Sequence, residues 1–138
     1  TARSDSLFKY MFIQNKNDAV GLNDYAYIIS ERNNSSINEL NYALELVERA
    51  IFMEPENAAF LDTIGWIYYK MGIYDEARKY LEKSLQINED NPVILEHMGD
   101  IYHKLEASDQ ALLLYEKARL IDTDNKTIHD KINQINGR

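Results

Sequence analysis

Residues 58–91 and 92–125 superpose on one another at a constant step of 34. Leu61 falls on Leu95, Ile64 on Met98, Gly65 on Gly99, Tyr68 on Tyr102, Ala77 on Ala111 and Leu81 on Tyr115, while Asn57, Asn91 and Asn125 keep the same step. A fixed period of this length means one supersecondary unit used repeatedly, each copy burying a face that only its neighbour can cover. Within the unit the apolar period is helical. Leu61, Ile64, Gly65, Ile67, Tyr68 and Met71 recur at three- and four-residue steps until Gly72 stops them. A second stripe, Tyr74, Ala77, Tyr80, Leu81, Ser84 and Leu85, runs to the polar stretch Asn88-Glu89-Asp90-Asn91, and Pro92 opens the next helix. Gly65 and Gly99 are expected where the paired helix leaves no room for a side chain, a place that Ala26 takes upstream. With only five Gly and two Pro, and no sustained apolar–polar alternation, the chain reads as all-α.

The stretch Leu61-Asp-Thr-Ile-Gly-Trp-Ile-Tyr-Tyr-Lys-Met-Gly-Ile-Tyr-Asp-Glu-Ala77, with Leu81 beyond it, resembles the tetratricopeptide repeat in arrays of the bacterial type, and so does Leu95-Glu-His-Met-Gly-Asp-Ile-Tyr102 with Ala111, Tyr115 and Ala118. The resemblance implies an α-solenoid, a right-handed superhelix of antiparallel helix pairs with about eight helices, working as a protein-binding scaffold. It covers nearly the whole chain as a single domain. Full repeats are expected at 19–57, 58–91 and 92–125, with residues 4–18 as the second helix of a partial repeat. Residues 126–138 form a capping helix carrying Ile128, Ile132 and Ile135 on one stripe. The register slips upstream. Leu22 to Ile28 overlays on Leu61 to Ile67 at a step of 39, whereas Ala43, Val47 and Ala50 overlay on Ala77, Leu81 and Ser84 at 34. Five residues are thus inserted around Asn33 to Glu39, giving a longer turn, and Ser36 with Glu39 reads as a capping box.

Charge and composition narrow the chemistry. Fifteen Lys and Arg against 23 Asp and Glu give a formal charge of −8. Nucleic-acid affinity comes mainly from Lys and Arg, so no nucleic-acid partner is expected. There is no cysteine, which excludes a disulfide framework, a thiolate zinc site and a cysteine nucleophile. That absence agrees equally with cytoplasm and periplasm, so the compartment stays open. The longest apolar run, Ala111 to Tyr115, is far short of the roughly 20 residues that span a bilayer, so no membrane insertion is expected and the chain reads as water-soluble. The missing initiator Met and the start within a patterned segment read as a piece of something longer. Glu96, Asp100 and His103 share one helix face, with His97 one step round; the spacing could hold a divalent metal, but a solvated polar face is the simpler reading and no cofactor is expected. His129 sits alone on the polar side of the last helix. No Gly-x-Ser-x-Gly elbow or Gly-rich phosphate loop is present, so no enzymatic activity is expected.

Of the ten tyrosines, Tyr68, Tyr80, Tyr102 and Tyr115 fall at core positions of the repeat. Tyr27, Trp66 and Tyr69 lie on the opposite side of each first helix, which in the family resembled lines the concave face. The expected peptide-binding groove is Asn23, Tyr27, Asp62, Trp66, Tyr69, Glu96, Asp100 and His103, with Trp66 as its central aromatic anchor. Some family members hold a partner's terminal carboxylate with Lys, Asn and Arg on this face. Here Asp62, Glu96 and Asp100 depart from that pattern, so a protein or peptide segment bearing basic or aromatic residues is the expected partner. The competing reading is a structural element that self-associates by stacking copies through the open N-terminal end.

Overall fold

The computed structural model describes residues 18–32 and 34–137. Seven helices are present among them: α1 Ala19–Glu31, α2 Ile37–Met53, α3 Ala58–Lys70, α4 Tyr74–Ile87, α5 Pro92–Lys104, α6 Ser108–Ile121 and α7 Lys126–Ile135. The helix expected at 4–18 lies, apart from Asp18, outside the described residues, and so does the open end expected to self-associate. No strand occurs among the described residues. The pairs α1–α2, α3–α4 and α5–α6 pack as hairpins. Each second helix leans on the first helix of the next pair, and α1 touches α3 as α3 touches α5. This is an all-α helical-repeat solenoid.

Helix starts are written in the period. Asn57, Asn91 and Asn125 each accept a backbone N–H from the first turn of α3, α5 and α7, at 3.2 Å from Phe60, 3.2 Å from Ile94 and 3.2 Å from Ile128. Asp18 does the same for α1 through Gly21, 3.1 Å away. Ser36 and Glu39 form the reciprocal capping box on α2. The starts of α4 and α6 have no side-chain cap. There the preceding helix ends in a Schellman turn: Ile73 N–H reaches Tyr68 O and Ala107 N–H reaches Tyr102 O, both at 2.9 Å. That turn needs a left-handed residue. Gly72 supplies it at φ 79°, but one period later Glu106 is held at φ 61°.

The inserted residues are shared between two features. The link from α1 to α2 spans positions 32–36, against 71–73 in the next repeat, and α2 has 17 residues against 14 in α4. Two insertions therefore lengthen the turn and three add most of a turn to α2. Arg32 bridges the link by pairing with Glu39 at 3.2 Å.

The core is a succession of clusters, each spanning neighbouring layers. Leu22, Ala26, Leu46, Val47, Ile64 and Ile67 join α1, α2 and α3; Ala77, Leu81, Met98 and Ile101 join α4 to α5; Leu95, Ala111, Tyr115, Ile128 and Ile132 join α5, α6 and α7. Burying an aliphatic side chain such as Ile128 contributes about 1.5–3 kcal/mol, which is why a ten-residue helix stays docked at the end of the stack.

Within the hairpins the paired helices meet at glycine. A Cβ on Gly65 would lie 2.7 Å from Leu81 Cγ and 3.2 Å from the Ala77 carbonyl oxygen; on Gly99 it would lie 2.5 Å from Tyr115 Cε1. Tyr115 cannot easily swing away, because its hydroxyl is tied to Asp100. Gly99→Ala is therefore expected to destabilise by about 1–2 kcal/mol despite alanine's better helix propensity, as read by chemical denaturation. Glu106→Gly is expected to stabilise by about 1 kcal/mol in the same measurement, because it relieves the left-handed backbone of a residue with a Cβ.

Candidate functional site

The first helices α1, α3 and α5 each turn one side toward their paired helix and another away from it. On the outward side, positions four apart stand one turn above another: Asn23 and Tyr27 on α1, Asp62 and Trp66 on α3, Glu96 and Asp100 on α5. Lateral stacking of α1 on α3 and α3 on α5 sets these pairs beside each other along one face of the array, termed the inner face because it lies away from the second helices. Asn23, Asp62, Trp66 and Asp100 are buried there. Tyr27, Tyr69 and Glu96 are half-buried, and His103 is exposed.

At Asp62 and Glu96 the carboxylates are engaged by the next repeat. His97 Nδ1–H donates to Asp62 at 2.8 Å, and Lys131 Nζ donates to Glu96 at 2.6 Å. The two pairs are the same pair one period apart, since Asp62 corresponds to Glu96 and His97 to Lys131. Lys131 also reaches Asp100 at 2.9 Å, and Asp100 accepts the Tyr115 hydroxyl. Burial alone would lower the Lys131 pKa, but Asp100 and Glu96 outweigh it and hold the ammonium above its ordinary value. Such a raised cation gives stability that is complete below the unfolded-state pKa of about 10.4 and is lost as the pH rises through the folded value. Burial and the Asp100 charge push the Tyr115 hydroxyl well above the usual tyrosine range.

Trp66 is likewise engaged within the chain. Its ring stacks on His97 with centroids 3.9 Å apart and on Tyr69 at 4.6 Å, and its Nε1–H donates to Glu31 at 2.9 Å. Burial, then the charge of Glu31 and a hydrogen bond to it, raise the Tyr27 hydroxyl far above its normal value. Burial first, then Asp100 and Tyr74, push Tyr69 up to about 12.

The corresponding rung between α1 and α3 is unmade. Its positions are Asn23 and Thr63; Thr63 spends its hydroxyl on the Ala59 carbonyl at 3.0 Å, and Asn23 Oδ1 is buried without a hydrogen-bond partner among the described residues. Beside it lies a cavity of about 390 Å³ lined by Asn23, Asp24, Tyr27, Asp62, Thr63 and Val93. Asp24, Glu31, Thr63, His97 and Lys131 belong to this face but are not singled out for it by sequence reasoning. A usable signal exists for two of them: an acid and a base 35 residues apart, one more than the period, at Asp62/His97 and again at Glu96/Lys131. Among the described residues no three His, Asp or Glu side chains gather as metal ligands, and no helix is long and apolar enough to cross a membrane. Glu96 and Asp100, whose spacing raises the question of a metal, face Lys131.

Comparison with known proteins fits this architecture. The tetratricopeptide repeat family model matches residues 58–91. A TPR repeat-containing protein of Pseudomonas aeruginosa is 28% identical over 80 residues, which make up 58% of this chain but only 13% of that protein. Among solved structures, a thermophilic TPR protein of Thermus thermophilus superposes with a TM-score of 0.80 at 20% identity, over 95% of this chain and 70% of its own. MamA gives 0.75 at 16% identity, over 95% and 74%. The first TPR of Spaghetti (RPAP3), bound to the HSP90 peptide SRMEEVD, gives 0.77 at 13% identity, over 86% and 93%. The repeat period, the helix hairpins and these matches together support a tetratricopeptide-repeat array, of which residues 58–91 match the family model.

Proposed function

We propose that the chain is a protein-interaction module whose inner face takes an extended segment with a basic side chain, entering between α1 and α3. Tetratricopeptide repeats generally mediate protein–protein interaction, and one structural neighbour holds a peptide. The observation that carries the reading is the cavity of about 390 Å³ at the unmade rung, with an exposed Asp24 at its rim and Asp62 and Tyr27 in its wall. An inserted cation meets carboxylates and a ring there, and can give Asn23 the donor that Thr63 withholds. The peptide of the structural neighbour, SRMEEVD, carries three acidic residues against one Arg. Glu31, Asp62, Glu96 and Asp100 on this face make such a sequence a poor ligand here. Further along, Tyr69 and His103 continue the face past Trp66, and the segment passes over them.

Trp66 is a poor residue on which to test this. Trp66→Ala would remove two ring stacks and the hydrogen bond to Glu31 and leave a cavity, at a cost of about 3–5 kcal/mol, so lost binding would follow from lost stability. Asp24→Lys at an exposed position and Tyr27→Ala at a half-buried one are the better variants. The test is a titration of the chain with seven-residue peptides differing at one central position, followed by backbone amide shifts. Lys- and Arg-centred peptides are expected to perturb α1 and α3 around Asp24, Tyr27 and Asp62, to weaken with salt, and to lose about tenfold in affinity for Asp24→Lys. A preference for the Glu-centred peptide, or silence at α1 and α3, would overturn the reading.

A further inference from the structure

The outer side of the solenoid, away from the inner face, shows a second cavity, and the chain's own period identifies what it lacks. Tyr68 on α3 and Tyr80 on α4 stack with planes 7° apart and centroids 5.7 Å apart, covering the junction with α2. One period later the residues are Tyr102 on α5 and Leu114 on α6. A branched four-carbon side chain is too short to lie across the Tyr102 ring as Tyr80 lies across Tyr68. At that junction a cavity of about 390 Å³ opens between α4 and α6, floored by Leu85, Met98 and Leu114 and walled by Tyr102.

We propose that this cavity is a docking pocket for an aromatic side chain of a partner protein, carried next to a basic residue. The ring takes the place that Tyr80 fills one repeat earlier, stacked on Tyr102 and resting on the Met98 thioether, a favourable sulfur–aromatic contact. The rim selects the neighbour. Glu82 and Glu89 stand at the edge; Arg78 lies 3.9 Å from Glu82 and Asp90 lies 3.9 Å from Lys117, so the charges within each pair offset each other and Glu89 leaves the rim with a negative excess. The surface beside the pocket favours a protein over a small ligand: Leu113 and Leu120, 72% and 76% exposed, flank Lys117 on the outer face of α6. A small molecule filling the pocket would leave these leucines in water, whereas a chain anchored there by its ring would cover them. The site shares no lining residue with the inner face, so it stands or falls independently of the function proposed above.

The test uses the whole chain with its Met and Leu methyl groups observed by NMR, titrated with N-acetyl-tyrosyl-lysine amide. A saturable upfield shift is expected for the Met98 and Leu114 methyls, about tenfold weaker with the leucyl-lysine amide and weaker again with tyrosyl-glutamate amide. Leu114→Tyr restores the ring pair of the preceding repeat; it is expected to melt no lower than the parent and to abolish the Met98 response. If Leu114→Tyr does not fold, the dipeptide series still decides. The proposal is overturned if Met98 shows no saturable shift, if the leucyl compound binds as well as the tyrosyl one, or if a folded Leu114→Tyr still responds.

Discussion

Two helices of a repeat can lie against each other at the depth seen here only because Gly65 and Gly99 present no Cβ to Leu81 and Tyr115. That approach sets the spacing of each hairpin. It brings the second helix near enough for Ser84 to bond the Ala58 carbonyl at 2.6 Å, and it leaves Tyr115 pinned between the glycine and Asp100. Once the hairpin has one thickness, its neighbours stack at one rotation, and only then can the same inter-repeat bond recur a period later. The glycines thus act on the inner face through geometry, although neither touches it.

Successive repeats spend the acids of the inner face on one another. His97 takes Asp62, and Lys131 takes both Glu96 and Asp100. Taking charges out of water is costly unless they are paired, so a face as acidic as this one is stable where the next helix brings a base. Helix α7 therefore has two tasks: it covers Leu95 and Tyr115 with Ile128 and Ile132, and it brings Lys131 to both carboxylates of α5. Among the described residues, the α1–α3 junction is where the rung is missing. There the buried oxygen of Asn23 and the adjacent cavity are left for a donor from outside the chain.

Much of this is legible in the sequence, and the remainder is hidden for definite reasons. The step of 34, the glycines, the capping box at Ser36 and the isoleucine stripe of α7 are local or periodic signals, readable from residue spacing alone. The environment of Trp66 is not. Helix periodicity places it on the inner side, but whether that side faces water or the next repeat depends on the rotation between repeats, which is fixed by packing. In the structure it meets His97 and Glu31, and is 8% exposed. The left-handed Glu106 is concealed because glycine at 72 gives way to a residue that does not advertise the turn. The change of register locates the inserted residues correctly, yet most of them extend α2 rather than the turn, since the capping box at Ser36 starts that helix early.

One base within the chain, Lys131, thus engages both acids of α5, and the α1–α3 junction is left for a partner. Lys131→Met puts this to the test, with its fold verified by circular dichroism and both proteins mapped by amide shifts against one lysine-centred peptide. Shifts are expected around Asn23, Asp24 and Tyr27 in the parent, and the same shifts in the variant joined by new ones at Glu96 and Asp100. An identical map for the two proteins, or a parent that binds at α5 while α1 stays silent, would contradict this division of the inner face.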